Sequence, residues 1–226
     1  MLTMTGLTKT YRTDTVETTA LDSIDVDIAD GEFVAIMGPS GCGKSTLLNV
    51  MGMLDSPSGG SYVFNGQEVA GLTESQLADT RKSNIGFIFQ SFNLVDELTV
   101  RENVELALLY HNHPASERRE RVERVLDKVG IAHRAKHRPT QLSGGQQQRV
   151  AVARALVGEP KLILADAPTG NLDTAHGEEV MRMLRQLNQE GSTIVMVTHS
   201  PAHADFASRV VNMLDGRILQ ERRRAA

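Results

Sequence analysis

The chain has 226 residues, of which 40% are hydrophobic and 23% charged, and a formal net charge of −4. This composition is typical of a globular chain with one large or two small domains, and the charge argues against nucleic-acid binding, which usually needs a positive field. With one cysteine, Cys42, and no apolar run near 18 residues, the sequence excludes an internal disulfide and a transmembrane helix within these residues.

The first 90 residues are predicted to be mainly strands around one helix. Thr15–Ile28 alternates loosely, and Phe33–Met37 is a wholly apolar run that is typical of a buried parallel strand. A helix is predicted from Lys44 to Gly52, followed by a hairpin over Ser61–Val69 with an Asn-Gly turn. Ile85–Phe89 is a further apolar strand.

In the second half of the chain, a helical region is followed by strands that alternate with helices. Strands that alternate with helices favour an α/β fold with a mainly parallel sheet, into which the helical middle is inserted. The tail Glu221–Ala226 is predicted to be frayed. The other predicted elements are helices over Val100–Tyr110, Ser116–Val129, Gln146–Val157 and Thr174–Glu190, and strands over Leu162–Ala165, Ile194–Val197 and Val210–Leu214.

A phosphate-binding motif stands between the first apolar strand and the first helix. The sequence GPSGCGKS matches the pattern G-x-x-x-x-G-K-[ST]. Its glycines let backbone N–H groups point at phosphate oxygens, and the helix N-terminus adds partial positive charge. Lys44 is predicted to reach the β- and γ-phosphates, the Ser45 hydroxyl to bind Mg²⁺, and Cys42 to be a packing residue. The predicted binding residues here are Gly38, Pro39, Ser40, Gly41, Cys42, Gly43, Lys44, Ser45 and Thr46, the last at the α-phosphate.

Two further motifs identify a family resemblance. The strand Leu162–Ala165 ends in Asp166, where P-loop NTPases place an aspartate in the Mg²⁺ shell. LSGGQ, residues 142–146, lies between the loop and this strand. With the motifs in this order, nearly the whole chain resembles the ATP-binding-cassette (ABC) family. The resemblance implies one nucleotide-binding domain over 1–226, with a RecA-like P-loop NTPase core and antiparallel β subdomain over about 1–90 and 158–226, and a helical signature subdomain over about 91–157.

The resemblance also implies roles for single residues. Tyr11 matches the aromatic residue that stacks on adenine, and Gln90 matches the Q-loop glutamine that senses Mg²⁺ and the membrane partner. Asp173, in the sequence GNLD, matches the D-loop, and His199 matches the histidine that contacts the γ-phosphate. The signature residues Ser143, Gly144, Gly145 and Gln146 would serve the ATP held by a second copy, because in this family two cassettes pack head to tail.

Further stretches, including IGFIFQSFNL and ADAPTGNLD, resemble the subgroup that contains LolD, MacB and FtsE. That subgroup implies ATP and Mg²⁺ as cofactors, a second copy and integral-membrane permease subunits as partners, and a peripheral position on the cytoplasmic face of the inner membrane. It implies envelope export, lipoprotein extraction or mechanotransmission as the function. Phe92, Asn93 and Leu94 are interpreted as part of the groove that receives the permease, with plain core packing as the alternative.

Residue 167 departs from the family pattern. The family has Asp-Glu-Pro-Thr where this chain has Asp166, Ala167, Pro168 and Thr169. A methyl group cannot accept a proton, and the loss of a positioned base typically costs about 10²–10⁴ in rate. We therefore expect Mg-ATP binding and dimerisation with very slow hydrolysis. We favour a deliberate substitution at Ala167 that traps the ATP-bound state, with a naturally degenerate cassette as the alternative.

Three other classes of function are alternatives. Ala167 also fits an ATP-gated regulatory binding module with no useful turnover. Soluble ABC ATPases that act on chromosomes separate their halves by long coiled coils, whereas only a short segment without heptads joins Gln90 to Leu142 here. Translation-associated relatives usually hold two cassettes, and this chain has one. The sequence therefore favours the ATPase subunit of a membrane complex.

Overall fold

The computed structural model describes residues 1–13 and 15–223, and all statements on structure below concern this part of the chain. Its strands are β1 (Leu2–Arg12), β2 (Glu17–Ile28), β3 (Phe33–Met37), β4 (Gly59–Phe64), β5 (Gln67–Glu68), β6 (Ile85–Ile88), β7 (Leu162–Asp166), β8 (Thr193–Val197), β9 (Arg209–Leu214) and β10 (Arg217–Arg223). Its α-helices are α1 (Lys44–Met51), α2 (Glu74–Asn84), α3 (Val100–Glu105), α4 (Ala115–Lys128), α5 (Gly144–Leu156), α6 (Thr174–Gln189) and α7 (Pro201–Ala204).

The larger sheet has six strands in the order β10-β9-β3-β8-β7-β6. All neighbours are parallel except β10, which is antiparallel to β9. The central strands β3, β7 and β8 are apolar and almost wholly buried, because helices or the second sheet cover both faces. The predicted α/β class with a mainly parallel sheet is confirmed, and the carboxyl ends of β3, β7 and β8 meet at one edge.

The smaller sheet is antiparallel, with the order β2-β1-β4-β5. β1 lies between β2 and β4, so that Leu2 pairs with both Ile28 and Phe64. The predicted hairpin is present as β4 and β5, and its turn contains Asn65 and Gly66, both with positive φ. The predicted antiparallel β layer is thus part of the fold.

Two hydrophobic cores lie on opposite faces of the larger sheet. Because side chains alternate along a strand, Phe33 and Ala35 of β3 pack with the helices, whereas Val34 and Ile36 pack with the antiparallel sheet and α1. The same strand therefore supports both layers at once.

The helical middle of the chain is confirmed, with shifted ends. The helix predicted over Val100–Tyr110 ends at Glu105 and continues as a 3₁₀ turn over Leu106–Leu108, which seats Leu108 in the core. α5 begins at Gly144, earlier than predicted, because the side chain of Ser143 caps it. The division of the chain at residues 91 and 157 stays a prediction.

Two helices, α2 and the four-residue α7, are not predicted from the sequence; α2 is the longer of the two. Only Leu77 of this helix is buried, so it lacks the apolar stripe that marks an amphipathic helix. Its start is nevertheless marked, because Thr73 and Gln76 form a capping box in which each side chain accepts the other's backbone N–H.

The prediction of a frayed tail from Glu221 is wrong for its first three residues. β10 runs to Arg223 and pairs with β9 up to that residue, and Glu221 Oε1 accepts a hydrogen bond from the buried Arg209 at 3.1 Å. This ion pair ties the edge strand to the sheet. Residues 224–226 lie outside the described residues. Within the described ranges, no helix combines the length and the apolar character needed to cross a bilayer.

A buried tyrosine joins the antiparallel sheet to α1. The Tyr62 hydroxyl donates to the Met51 carbonyl at 2.6 Å, and no other group in the described part of the chain donates to that carbonyl. Burial raises the pKa of Tyr62, so the hydroxyl keeps its proton. We expect Tyr62→Phe to lower the free energy of unfolding by about 1–3 kcal/mol, because the buried carbonyl is left unpaired. Urea unfolding measures this loss. Tyr110→Phe is the control, since Tyr110 is 79% exposed; equal losses in both variants would contradict the prediction.

Candidate nucleotide site

A cleft of about 480 Å³ lies at the edge of the larger sheet where β3, β7 and β8 end. Ligands of open α/β sheets bind outside the carboxyl ends of the strands. The cleft brings together most of the phosphate loop with Gln90, Asp166, Ala167 and His199, whereas the predicted binding residues Gly38, Pro39 and Cys42 do not line it. Its full lining is Thr18, Thr19, Ala20, Ser40, Gly41, Gly43, Lys44, Ser45, Thr46, Gln90, Asp166, Ala167, Val197, His199, Asp215 and Gly216.

The loop between β3 and α1 presents an uncapped helix N-terminus to this cleft. Gly43 is the N-cap with φ +97°, and a side chain there would collide with the Ala20 carbonyl. It therefore offers no side-chain cap, and within the described residues no backbone carbonyl accepts the N–H groups of Lys44, Ser45 or Thr46. Three free donors at the positive end of a helix form an anion site.

Lys44 is buried in the loop itself. The residue is only 5% exposed, and its Nζ donates to the Pro39 carbonyl at 2.6 Å. Cys42 is also buried, 3.7 Å from the ammonium group, and packs in the core beneath the antiparallel sheet. The loop thus holds a positive charge in a fixed place beside the free N–H groups, which suits a phosphate chain.

Two oxygen ligands from different elements meet in the cleft. Ser45 Oγ, in the first turn of α1, lies 3.4 Å from Asp166 Oδ1 at the end of β7. A hydroxyl and a carboxylate are the hard oxygen donors that Mg²⁺ prefers. These residues fit a bound Mg²⁺ that also contacts phosphate. Gln90 is near, with its Nε2 donating to Asn171 Oδ1 at 3.3 Å.

Ala167 lies on the cleft wall in an unusual backbone conformation. Its φ of +43° is uncommon for a residue with a side chain. Its N–H donates to the Val197 carbonyl at 3.1 Å, and its carbonyl accepts from Gly170 N–H at 2.9 Å. The backbone is therefore well held, while the methyl group brings no chemistry to the cleft. His199, just beyond β8, is exposed on the wall of the same cleft.

Tyr11 lies outside the lining of the cleft and is 42% exposed. Its hydroxyl donates to Asp55 Oδ2 at 2.7 Å, and Lys9 Nζ lies 4.9 Å from the ring centre. Partial burial raises the pKa of Tyr11, supported by the Asp55 carboxylate. Burial alone would raise the pKa of Asp55 too, but hydrogen bonds from Lys9 and Tyr11 outweigh it and lower that pKa. The hydroxyl is thereby held beside Asp55, and Lys9 lies over the ring.

The signature residues and the D-loop aspartate lie outside the cleft of their own chain. Ser143 and Gln146 form a capping box at the start of α5. Asp173 caps α6 and accepts from His176 Nδ1 at 2.7 Å, and the His176 ring packs on Gly145. The structure thus joins these two predicted motifs to each other but leaves them apart from the phosphate loop.

The sequence prediction missed one wall of the cleft. Thr18, Thr19 and Ala20 of β2 line it together with the β9–β10 turn at Asp215 and Gly216. Gly216 N–H donates to the Cys42 carbonyl at 3.1 Å, which fixes the turn on the phosphate loop. The Asp-Gly pair predicts a turn from the sequence, but nothing in the neighbouring sequence indicates that this turn contacts the phosphate loop.

Comparison with known proteins agrees with this geometry. Residues 21–170 match the family model described as ABC transporter. The chain is 49% identical over 219 residues to the uncharacterized ABC transporter ATP-binding protein YknY of Bacillus subtilis (strain 168), which covers 97% of this chain and 95% of that protein. It is 48% identical over 221 residues to the macrolide export ATP-binding/permease protein MacB of Azoarcus sp. (strain BH72). That match covers 98% of this chain but only 34% of the MacB relative, so the chain spans about a third of its length.

The fold is also similar to a solved structure. The dimeric structure of a post-hydrolysis state of the ATP-binding cassette MJ0796, bound to ADP and Pi, superposes with a TM-score of 0.91 at 43% identity. The match covers 99% of this chain and 98% of the MJ0796 chain. The predicted nucleotide-binding fold and the family resemblance are confirmed. The chain therefore belongs to the ABC transporter family, as one of its ATP-binding proteins.

Proposed function

We propose that the chain is the ATPase subunit of an ABC export complex, and that Ala167 makes this form of it hydrolyse ATP very slowly. The observation that carries the proposal is the cleft, which gathers at one sheet edge a buried lysine, two hard oxygen ligands and three helix N–H groups that have no partner among the described residues. These groups suit a nucleoside triphosphate with Mg²⁺.

Within this proposal, each part of the site has a distinct task. Lys44 and the α1 N-terminus bind the phosphates, and His199 contacts the γ-phosphate from the opposite wall. Tyr11 stacks on the base. Ser45 and Asp166, with Gln90 near them, would hold Mg²⁺, which neutralises phosphate charge when bound.

The position of the signature supports a head-to-tail dimer. Ser143–Gln146 do not line their own cleft, yet they open a helix. The capping box uses the N–H groups of Ser143 and Gln146, which leaves those of Gly144 and Gly145 to meet an anion. The relative MJ0796 is dimeric, as its structures state. We propose that a second copy supplies these residues, with Asp173 at the same interface.

A groove beside the cleft is the proposed docking place for the permease. It has a volume of about 370 Å³ and is lined by Phe87, Phe89, Asn93, His111 and Arg154, among others. Arg154 donates to the carbonyls of Phe92 and Asn93, both of which have positive φ, and so holds this wall in shape. Leu94 instead packs against the helical core, in line with the alternative of core packing for that residue.

The names of the relatives favour export among the roles of the subgroup. The MacB relatives are named macrolide export ATP-binding/permease proteins, so in those relatives one chain contains both the ATP-binding part and the permease. We propose that this chain acts with a permease at the cytoplasmic face of the membrane as a peripheral subunit. Ala167 specifically favours a second candidate, an ATP-gated binding module without useful turnover.

Dimerisation tests the proposal. We expect the chain to be a monomer without nucleotide and to become a stable dimer with Mg-ATP, because nothing hydrolyses the bridging nucleotide quickly. Analytical ultracentrifugation with ATP, with ADP and without nucleotide measures this directly. ADP is the control, since it lacks the γ-phosphate that the second copy would contact. A chain that stays monomeric with ATP, or that dimerises equally with ADP, would contradict the proposed mechanism.

A further inference from the structure

A buried glutamine connects the signature helix to the segment that carries Ala167. Gln148, in the second turn of α5, has an exposure of 0%. Its Nε2 donates to the Pro168 carbonyl at 2.6 Å, one residue after Ala167. Its Oε1 has no hydrogen-bond partner within the ranges 1–13 and 15–223. The amide must point this way round, because only its NH₂ group can donate to a carbonyl.

Packing alone does not require a glutamine at this position. Methionine has a similar length and would fill the same space without leaving a buried oxygen unpaired. The amide brings one thing that an apolar side chain cannot, which is the bond to the Pro168 carbonyl. Pro168 has no N–H of its own, so its carbonyl is the only backbone hydrogen-bonding group through which this residue can be held.

Other contacts tie the same segment to different parts of the fold. Ala167 N–H donates to Val197 at the end of β8, and Thr169 Oγ1 lies 2.9 Å from His203 Nδ1 on α7. Gln148 adds a hydrogen bond that reaches the segment from α5. A shift of α5 would therefore pull on the backbone directly beside residue 167.

We propose that Gln148 is a positioning residue, which fixes the backbone of residue 167 in the cleft and couples it to the helix that begins at the signature. The inference rests on the proposed function, because it assigns to residue 167 the place of the hydrolytic base. In a dimer, Gln148 would link the cleft of its own chain to the signature that serves the other cleft.

Hydrogen exchange tests whether Gln148 holds the backbone around residue 167, and it needs no ATPase activity. We expect Gln148→Met to raise amide exchange over 166–173 by about tenfold, because one bond that opposes local opening is lost. Exchange in α1 should not change. The matched control is Gln186→Met, which removes an exposed glutamine from the surface of α6, where it bonds Glu190. Unchanged exchange over 166–173 in a folded Gln148→Met chain would overturn the proposal, whatever the ATPase activity is.

Steady-state ATPase kinetics of chains that carry Ala167→Glu test whether this positioning affects hydrolysis. We expect Gln148→Met to lower kcat for ATP by about 10- to 100-fold, since a displaced catalytic group loses its orientation. KM should stay within about twofold, because the phosphate-binding groups are untouched. Equal loss in kcat and in nucleotide affinity, or no loss beyond that of Gln186→Met, would overturn the proposal. If the Ala167→Glu chain has no ATPase activity, the proposed hydrolytic function fails, and the exchange result still decides the role of Gln148.

Gln148→Asn is a second variant that tests the same hydrogen bond in case Gln148→Met does not fold. It keeps the amide but shortens the side chain by one methylene, so that the bond to Pro168 is lost with little change in polarity. We expect it to behave as Gln148→Met in both measurements. Failure of both variants to fold would overturn the positioning role in favour of a purely structural one.

Discussion

The Ala167→Glu variant is expected to release phosphate from ATP about 10²–10⁴-fold faster than the unaltered chain, the usual contribution of a positioned general base. The methyl group of Ala167 cannot accept the proton of an attacking water. The surrounding groups are already in place, because Ala167 lies on the cleft wall with its backbone held by Val197 and Gly170. Steady-state phosphate release with Mg-ATP at saturating concentration measures the gain.

Ala167→Gln is the matched control. Glutamine has the shape of glutamate and meets the same backbone φ of +43°, but its amide is not a base at neutral pH. We expect it to stay as slow as the unaltered chain. Equal rates for the Glu and Gln variants would show that residue 167 is not the base, and would favour the binding module without turnover.

Lys44→Met is expected to weaken the binding of ATP by about 10- to 100-fold, which corresponds to the loss of charge-assisted hydrogen bonds worth about 1.5–3 kcal/mol. Lys44 is the buried cation of the phosphate loop, and methionine keeps much of its apolar length. Titration calorimetry with ATP measures the change in Kd, and thermal unfolding shows whether the variant is folded.

Lys136→Met is the control for this prediction. Lys136 is exposed and does not line the cleft, so its replacement removes an equal charge without touching the proposed site. We expect its Kd for ATP to equal that of the unaltered chain. A similar loss of affinity in both variants would mean that net charge, and not the buried ammonium group, governs binding.

The core of the site can be predicted from sequence because its parts are local. The phosphate loop is one continuous motif, Asp166 is the last residue of an apolar strand, and His199 lies two residues after another. Parallel strands bring their carboxyl ends to one edge, so the three parts must meet wherever the strands are neighbours.

Other features depend on contacts between distant segments. Gln148 reads as an ordinary polar residue of a helix, and only the packing of α5 on the segment after β7 makes it buried and bonded. The pairing of Tyr11 with Asp55 depends on the fold in the same way. α2 has too few apolar residues for a periodicity argument, and β10 is ordered through Arg209 and Glu221, which lie on different strands.

The alternation of side chains along β3 links the unfolding of the two hydrophobic cores. Neighbouring residues of this strand belong to opposite cores, Val34 to one and Ala35 to the other. Unfolding of β3 would remove packing residues from both cores at once. The two layers would then unfold as one cooperative unit, and a nucleotide bound at the loop after Met37 would stabilise the antiparallel sheet and the helices together.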